Sequence, residues 1–368
     1  MYRVTALAWA ALKAIGVKNP RDHLIIARLL PEHGFGGHDD AVPNATILVS
    51  KNPFSHEDVR IIEDVCKRMK FEVVLTPTTA VDPGFALVAS QDVEDSAHPL
   101  FSVVNISPPT DDKPFFYNLM RLGDIFNPDA WAHGGTRQNL RALFILGSLL
   151  LTVLVLTFLC IVFPLMVRAR AVSLKGTFPF FLFFGAIGLG FMLIEISQMH
   201  RLNIFLGHPV YGLSVVLFSL LLSSGLGSYL TSTFSRSGAT ASAALPLLFA
   251  VIALVLFGIV TPFAVTAARH AETPVRIAIT VAMLFPIGIF MGMAFPLGMG
   301  LASGRFPQLM PWLWGMNGAT SVCGSVLTFV IVLFYGISAA LWLGAACYAV
   351  ACGSFLWALR GREKSQTA

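Results

Sequence analysis

The sequence predicts a multi-pass α-helical membrane protein with a partial α/β domain at its N-terminal end. Only 12% of the 368 residues are charged, whereas a soluble domain carries about 25%. The acidic residues are concentrated in the first 136 residues, and only Glu195, Glu272 and Glu363 follow. From Asn139 onward, long apolar stretches alternate with short polar breaks, which is the pattern of a chain that crosses a membrane repeatedly.

Residues 1–107 are predicted to form the partial α/β domain, which begins with an amphipathic helix over Met1–Gly16. Apolar residues recur there at helical spacing, and Gly16 can supply the left-handed residue that ends a helix. The residues of this apolar face are Val4, Leu7, Ala11, Leu12 and Ile15.

Three apolar runs, 23–30, 45–50 and 71–76, have the length of β-strands. The run 45–50 is rich in β-branched residues and lacks alternation, which predicts a strand buried on both faces. The order helix, strand, strand, helix and strand predicts part of an α/β layer with a mainly parallel sheet. A helix between the second and third strands is predicted to begin at Ser55, because Asp58 three residues later completes a variant of a capping box. Three strands are fewer than the roughly five or six strands of an average sheet, so the domain is predicted to be incomplete at its N-terminal side.

Residues 108–138 are predicted to be a linker, because Pro, Asp and Gly are dense there. Its carboxylates Asp111 and Asp112 are expected to be solvated turn residues. The earlier loop from Pro31 to Pro43 contains Gly34–Gly37, but it lacks the strand, GxGxxG and helix context of a nucleotide-binding loop.

Residues 139–360 are predicted to form about seven membrane-spanning helices, followed by a basic tail, 361–368. Each apolar stretch exceeds the roughly 18–20 residues that cross a bilayer. The stretches are 140–167, 178–199, 209–232, 242–268, 273–301, 311–335 and 337–360. Stretch 273–301 contains Pro286 and Pro296, so one kinked helix and a broken pair are alternatives, and both prolines are candidate hinges.

The orientation of these helices is ambiguous in the sequence. On a seven-span count, eight basic residues flank the spans on the side away from the N-terminal domain and five on its own side. The positive-inside rule then places the N-terminal domain outside. However, a 136-residue segment without a signal peptide is hard to translocate, which favours a cytoplasmic domain, and we adopt that expectation.

Glu195 is the acidic residue that lies well inside a span, and a carboxylate in hydrocarbon is costly. Gln198 lies one turn away on the same helix face. We therefore predict an intramembrane polar site that contains Glu195 and Gln198, with a proton-handling or substrate-handling role. A structural carboxylate bonded to a neighbouring helix is the alternative. Asn317 is the second intramembrane polar candidate, for which a hydrogen bond between helices is favoured over ligand binding.

No catalytic, metal-binding or nucleic-acid-binding pattern is found in the sequence. The five cysteines form no CxxC pair, so neither a zinc site nor a redox motif is predicted. HExxH, GxSxG and P-loop motifs do not occur. The basic residues of the second half lie in short breaks between apolar stretches, so the lipid bilayer rather than nucleic acid is the expected partner.

Four features of the chain resemble bacterial membrane proteins in which a spermidine synthase-like, aminopropyltransferase-like Rossmann domain of the methyltransferase fold is fused to transmembrane helices. They are the helix Tyr2–Leu12, the strand regions 45–53 and 71–77, the junction 109–116, and the helix motifs 290–298 and 314–319. The resemblance covers nearly the whole chain, and the junction and the Phe-Pro-Leu-Gly stretch are its most specific parts.

This resemblance implies a Rossmann-like character for the N-terminal domain and a location in the bacterial inner membrane. In that family a glycine-rich loop holds decarboxylated S-adenosylmethionine and acidic residues position the amine, but the corresponding positions would precede Met1. No catalytic, cofactor-binding or metal-binding residue is therefore transferred to this chain, and no cofactor is expected in it.

Three functions follow as hypotheses. The chain could be a membrane-anchored spermidine synthase-like protein of polyamine or S-adenosyl-linked metabolism that lacks a complete active site. The first alternative is a multi-pass transporter of a small solute, cations such as polyamines included, with a regulatory soluble domain. The second alternative is a non-catalytic membrane scaffold. The oligomeric state is not encoded in these patterns.

Overall fold

The computed structural model describes residues 1–29, 45–90, 105–123, 134–169, 176–235 and 244–366. The chain divides into two compact units. The first unit comprises Met1–Thr110 and Pro114–Arg141, and the second comprises Asp111–Lys113 and Ala142–Ala368. Parts of several sequence predictions lie outside the described residues. They are residue 30 of the first strand run, the loop 31–43 with Gly34–Gly37, domain residues 91–104, linker residues 124–133, the basic residues Arg170, Lys175 and Arg236, residues 242–243 of the fourth apolar stretch, and tail residues 367–368.

The first unit has the predicted order of helix, strand, strand, helix and strand, followed by a further short helix. The elements are α1 (Tyr2–Ala14), β1 (Leu24–Leu29), β2 (Ala45–Val49), α2 (His56–Arg68), β3 (Phe71–Leu75) and α3 (Pro83–Ser90). Their apolar core joins α1 and α3 to the sheet through Leu12, Ile26, Leu75 and Phe85.

The first helix is confirmed, but its predicted apolar face is wrong in part. Leu7, Ala11 and Ile15 are exposed, and the buried face includes the polar residues Arg3 and Thr5. Arg3 is accommodated there because its guanidinium binds backbone carbonyls, which apolar periodicity does not register. Gly16 adopts a φ of +89°, as its predicted role at the helix end requires.

The sheet is antiparallel, so the prediction of a mainly parallel sheet is wrong. β1 lies between β2 and β3 and pairs with both in the antiparallel direction. Since β2 and β3 consequently run in the same direction, α2 connects them across β1 as a split β–α–β unit. The expected burial of β2 on both faces is also wrong, because its outer position leaves Leu48 and Val49 exposed.

The capping box at the start of α2 is confirmed in both directions. The backbone N–H of Asp58 donates to Ser55 Oγ at 3.1 Å, and the backbone N–H of Ser55 donates to Asp58 Oδ2 at 2.9 Å. Hydrogen bonds from the side chain and backbone of Ser55 lower the pKa of Asp58 below its ordinary value.

We expect this cap to weaken in acid. Because the pKa of Asp58 is lower in the folded chain than in the unfolded one, its stabilisation is present above the ordinary aspartate pKa and is lost as the pH falls through the folded value. Hydrogen exchange of peptides covering 54–62 should be slower in the parent than in Asp58→Ala at about pH 6, and the difference should shrink at about pH 3. An equal difference at both pH values would contradict the assignment.

The second unit contains seven helical segments that are long and apolar enough to cross a membrane, counted over its described residues. This confirms the predicted multi-pass membrane protein and its span count. The segments are α4 (Gly134–Thr157), which continues through a π-helical turn (Phe158–Val162) into α5 (Phe163–Ala169), then α6 (Phe178–Leu206), α7 (Pro209–Ser235), α8 (Leu245–Ala267), α9 (Thr273–Ser303), α10 (Met310–Tyr335) and α11 (Ile337–Gln366).

The stretch with two prolines is one continuous helix, α9, rather than a broken pair. Pro286 and Pro296 both lie in its interior. Each proline lacks the backbone N–H that would bond the carbonyl four residues earlier. The intrahelical hydrogen bonding of α9 is therefore interrupted at two positions ten residues apart.

Glycines set the separation of α7 and α9. A Cβ added at Gly292 would collide with the backbone of Ser224, and one added at Gly227 would collide with the backbone of Ile289. Such close approach of helix backbones is the usual way in which membrane helices associate, because small residues maximise van der Waals contact.

Candidate functional site

A cavity of about 360 Å³ lies near the middle of the helices that line it in the second unit, and it opens to the bundle surface where Leu221, Gly225 and Ser228 are exposed. It is lined by residues of α6, α7, α9, α10 and α11. Its polar lining is uncharged and consists of Ser224, Ser228, Ser321, Asn317 and Tyr348. Polar groups at the middle of a membrane bundle are costly unless they face the interior, so their convergence on one cavity marks a candidate binding site.

Asn317 makes the predicted hydrogen bond between helices and also lies at the cavity. Its side-chain N–H donates to the carbonyl oxygen of Phe184 on α6 at 3.1 Å, which is a hydrogen bond between helices. Asn317 also lines the cavity. Gly188 makes this approach of α6 and α10 possible, because a Cβ there would meet Asn317 and Thr320.

The candidate hinge Pro296 lines the cavity together with Gly292, four residues earlier on α9. Because Pro296 has no N–H, the Gly292 carbonyl lacks its usual intrahelical donor. The cavity is therefore bordered by the least constrained turn of α9. Pro286, the other candidate hinge, lies ten residues earlier and is not among the described lining residues.

Glu195 and Gln198 lie outside this cavity but on the same face of α6 as two of its lining residues, Gly188 and Phe191. Residues spaced three or four apart share one face of a helix. Glu195 is 8% exposed, and no described residue hydrogen-bonds or ion-pairs with it. Gln198 is fully buried, and its Nε2 donates to Ser197 Oγ at 3.2 Å. The predicted set of three polar residues is thus divided between the cavity and the next two turns of α6.

A second polar cluster, which the sequence did not predict, holds the end of α6. It consists of Asp112, Arg201 and Ser338. Asp112 Oδ1 accepts hydrogen bonds from the backbone N–H and the hydroxyl of Ser338, at 2.8 and 2.6 Å. Arg201 donates to the Ser338 hydroxyl at 2.6 Å and lies 3.5 Å from Asp112 Oδ1. The expectation of a solvated turn holds for exposed Asp111 and is wrong for Asp112, which satisfies the first turn of α11.

Sequence patterns missed the serine and tyrosine residues of the cavity. Ser224 and Ser228 are spaced four apart on α7, beside Gly225, which is the signal that could have identified a small polar helix face. Tyr348 carried no such signal, because it stands in an apolar stretch and reaches the site only through the packing of α11 on α6.

The described part of the chain contains no candidate metal centre. No group of three or more His, Cys, Asp or Glu side chains is close enough there to hold a metal ion.

In the first unit, the Tyr2 hydroxyl donates to the Asp82 carboxylate, and burial together with this bond raises the pKa of Tyr2. This contact ties α1 to the start of α3.

Comparison of the chain with protein-family models, curated proteins and solved structures gave no match in any of the three searches. The geometry of the cavity is therefore the basis for assigning a function.

Proposed function

We propose that the membrane unit binds a small polar solute in the cavity and carries it across the membrane. The observation that carries this proposal is the position of the cavity near the middle of five helices, with hydroxyl and amide groups converging on it. Sites of membrane transporters characteristically lie near the bilayer midplane and beside interrupted helices. The volume, about that of a dozen water molecules, suits a small solute.

The described lining supports a neutral, hydrogen-bonding solute better than a cationic one. It contains three serines, an asparagine and a tyrosine, and no charged side chain. A polyamine would bring several ammonium groups without a carboxylate in the lining to pair with them, and an unpaired buried charge is strongly disfavoured.

The proposed moving part is the second half of α9. Pro296 and Gly292 weaken its hydrogen bonding at the cavity, while Gly292 and Gly227 let α7 and α9 touch through their backbones. A bend of α9 at this point would open one side of the cavity and close the other.

Access to the cavity from both membrane faces tests the proposal. Ser228→Cys, in a chain whose five native cysteines are replaced by alanine, should react with a charged, membrane-impermeant methanethiosulfonate reagent in vesicles of either orientation. Leu256→Cys is the matched control, because Leu256 is 55% exposed in the apolar span α8 and should be shielded by lipid. Labelling of Ser228→Cys from one face only, or from neither, would refute transport.

A second candidate rests on the first unit. The resemblance to membrane-fused spermidine synthase-like proteins supports a membrane-anchored protein of polyamine or S-adenosyl-linked metabolism, held at a bacterial inner membrane with the unit in the cytoplasm. Loss of aminopropyl transfer from decarboxylated S-adenosylmethionine to putrescine in native membranes from which the chain has been deleted would favour this function. Unchanged transfer together with the absence of two-sided labelling would favour a scaffold.

A further inference from the structure

Among the described residues of the membrane unit, three buried polar side-chain atoms have no hydrogen-bond partner. Asn203 Oδ1 is close to the end of α6, whereas Gln198 Oε1 on α6 and Thr280 Oγ1 on α9 belong to residues that are fully buried. A buried polar atom without a partner destabilises the fold. The Thr280 hydroxyl differs from other buried hydroxyls of the bundle because it does not bond a carbonyl of its own helix. Several buried hydroxyls of the neighbouring helices donate to the carbonyl four residues earlier, including those of Ser219, Ser223, Thr231, Thr261 and Thr328.

Gln198 Oε1 and Thr280 Oγ1 lie near the same end of the bundle. Arg276 Nη1 donates to the carbonyl oxygen of Phe205 at 3.2 Å, so the start of α9 lies beside the end of α6. With a rise of 1.5 Å per residue, Gln198 is about 10 Å and Thr280 about 6 Å further into the bundle than this contact. Polar atoms buried in this way are characteristically hydrogen-bonded to water.

Glu195 lies between these atoms and the cavity. On the same scale Glu195 is about 15 Å from the Phe205 level, and the cavity-lining residue Phe191 is about 21 Å from it. The buried carboxyl group without a protein partner therefore stands one turn from the solute cavity and one turn from Gln198. A carboxyl group in this position is stable in hydrocarbon when it carries a proton and is costly when it does not.

Among the described side chains, no charged group is placed to neutralise Glu195. The titratable and charged residues of α6 and of the helices packed against it are His200, Arg201, Tyr211, Tyr229, Arg276, Cys323, Tyr335, Cys347, Tyr348, Cys352 and Arg360, counted over described side chains. Arg201 is held by Ser338 and Asp112. Arg276 is held by backbone carbonyls of residues 205, 269 and 271. Both arginines lie at the end of the bundle.

We propose that Glu195 is the proton-binding group that couples solute movement to a proton gradient, with Gln198 and Thr280 positioning the water through which the proton reaches it. This inference rests on the proposed transport function. The Glu195 carboxylate takes a proton from water on one side of the membrane and returns it to water on the other. No electron is transferred and no bond between heavy atoms changes.

The coupling has a physical cause. The protonated carboxyl can stay in the apolar contact between α6 and its neighbours, whereas the carboxylate requires hydration and draws water in from the Gln198 side. Loss of the proton thus favours the state in which that end of the bundle is open. Protonation favours the state in which it is closed and the cavity faces the opposite side.

The pH dependence of cavity access tests this without knowledge of the solute. In the cysteine-replaced chain, the reaction rate of Ser228→Cys with the methanethiosulfonate reagent is measured from each face between about pH 5 and pH 9, and the ratio of the two rates is used. The ratio cancels the ionisation of the thiol itself. We expect it to change about tenfold, equivalent to about 1.4 kcal/mol, in the parent and to be constant in Glu195→Gln.

Glu272→Gln is the matched control, because Glu272 is exposed at the start of α9, and it should keep the parental response. Glu195→Asp retains the carboxyl group and should also respond. A parental ratio that is constant with pH, or a Glu195→Gln chain that still responds, would overturn the inference while leaving transport intact. A constant parental ratio is decisive even if the glutamine variant fails to fold. Absence of labelling from one face would instead refute the proposed function.

Discussion

Gly292→Ala is expected to destabilise the membrane unit by about 3 kcal/mol, the upper end of the range for overpacked interiors. An added Cβ at this position would overlap the Ser224 carbonyl oxygen, and it would lie 2.5 Å from the Ser224 Cα. These are backbone atoms in the middle of α7, so no side-chain rotation can relieve the collision. The two helices must separate, and the contacts around the cavity are lost with them.

Gly300→Ala provides the matched control for this prediction. Gly300 lies in the same helix, α9, and a Cβ there would meet nothing within 4 Å. Alanine has the higher helix propensity, so this variant should be as stable as the parent or slightly more stable. Thermal unfolding of the full chain in detergent would show the difference. Equal melting temperatures for the two variants would mean that α7 and α9 are not in backbone contact.

Arg3→Met is expected to release the segment around residues 105–118 of the first unit, with a loss of about 3 kcal/mol, because each buried carbonyl left without a donor costs about 1–3 kcal/mol. The buried guanidinium donates to four backbone carbonyls: Nε to Ser107 at 2.8 Å, and Nη1 to Phe115, Phe116 and Asn118 at 3.0, 2.9 and 2.7 Å. Hydrogen bonds to a charged donor contribute more than neutral ones. Methionine would fill part of the space but leave these carbonyls without their donor.

Hydrogen exchange of the full chain would detect this release as faster exchange in peptides covering 105–118. Arg60→Met is the matched control. Arg60 is exposed on α2, so its replacement should leave the exchange of the 105–118 peptides unchanged. Arg3→Lys should give an intermediate result, since an ammonium group keeps the charge but cannot span the same four acceptors. Unchanged exchange in Arg3→Met would show that the segment is held by other contacts.

The membrane character of this chain was determined by its sequence. Seven apolar stretches of sufficient length appeared as seven spanning helices, because a bilayer requires each crossing segment to satisfy its own backbone within a helix. The local signals at Ser55, Asp58 and Gly16 were equally predictable, since capping boxes and helix ends depend on residues only a few positions apart. Glu195 was identifiable because a carboxylate inside an apolar stretch needs no structure to stand out.

Tertiary structure alone decided how these elements pair. The direction of β1 relative to β2 and β3 could not be predicted from apolar runs, because a central antiparallel strand is buried on both faces just as a parallel one is. The same limit applies to Arg3 and Asp112, whose partners are residues far away in sequence. The cavity, too, was formed by packing, which brought Asn317 and Pro296 to Ser224, Ser228 and Tyr348. It left Glu195 one turn away, because the register between helices is set by contacts that no single helix encodes.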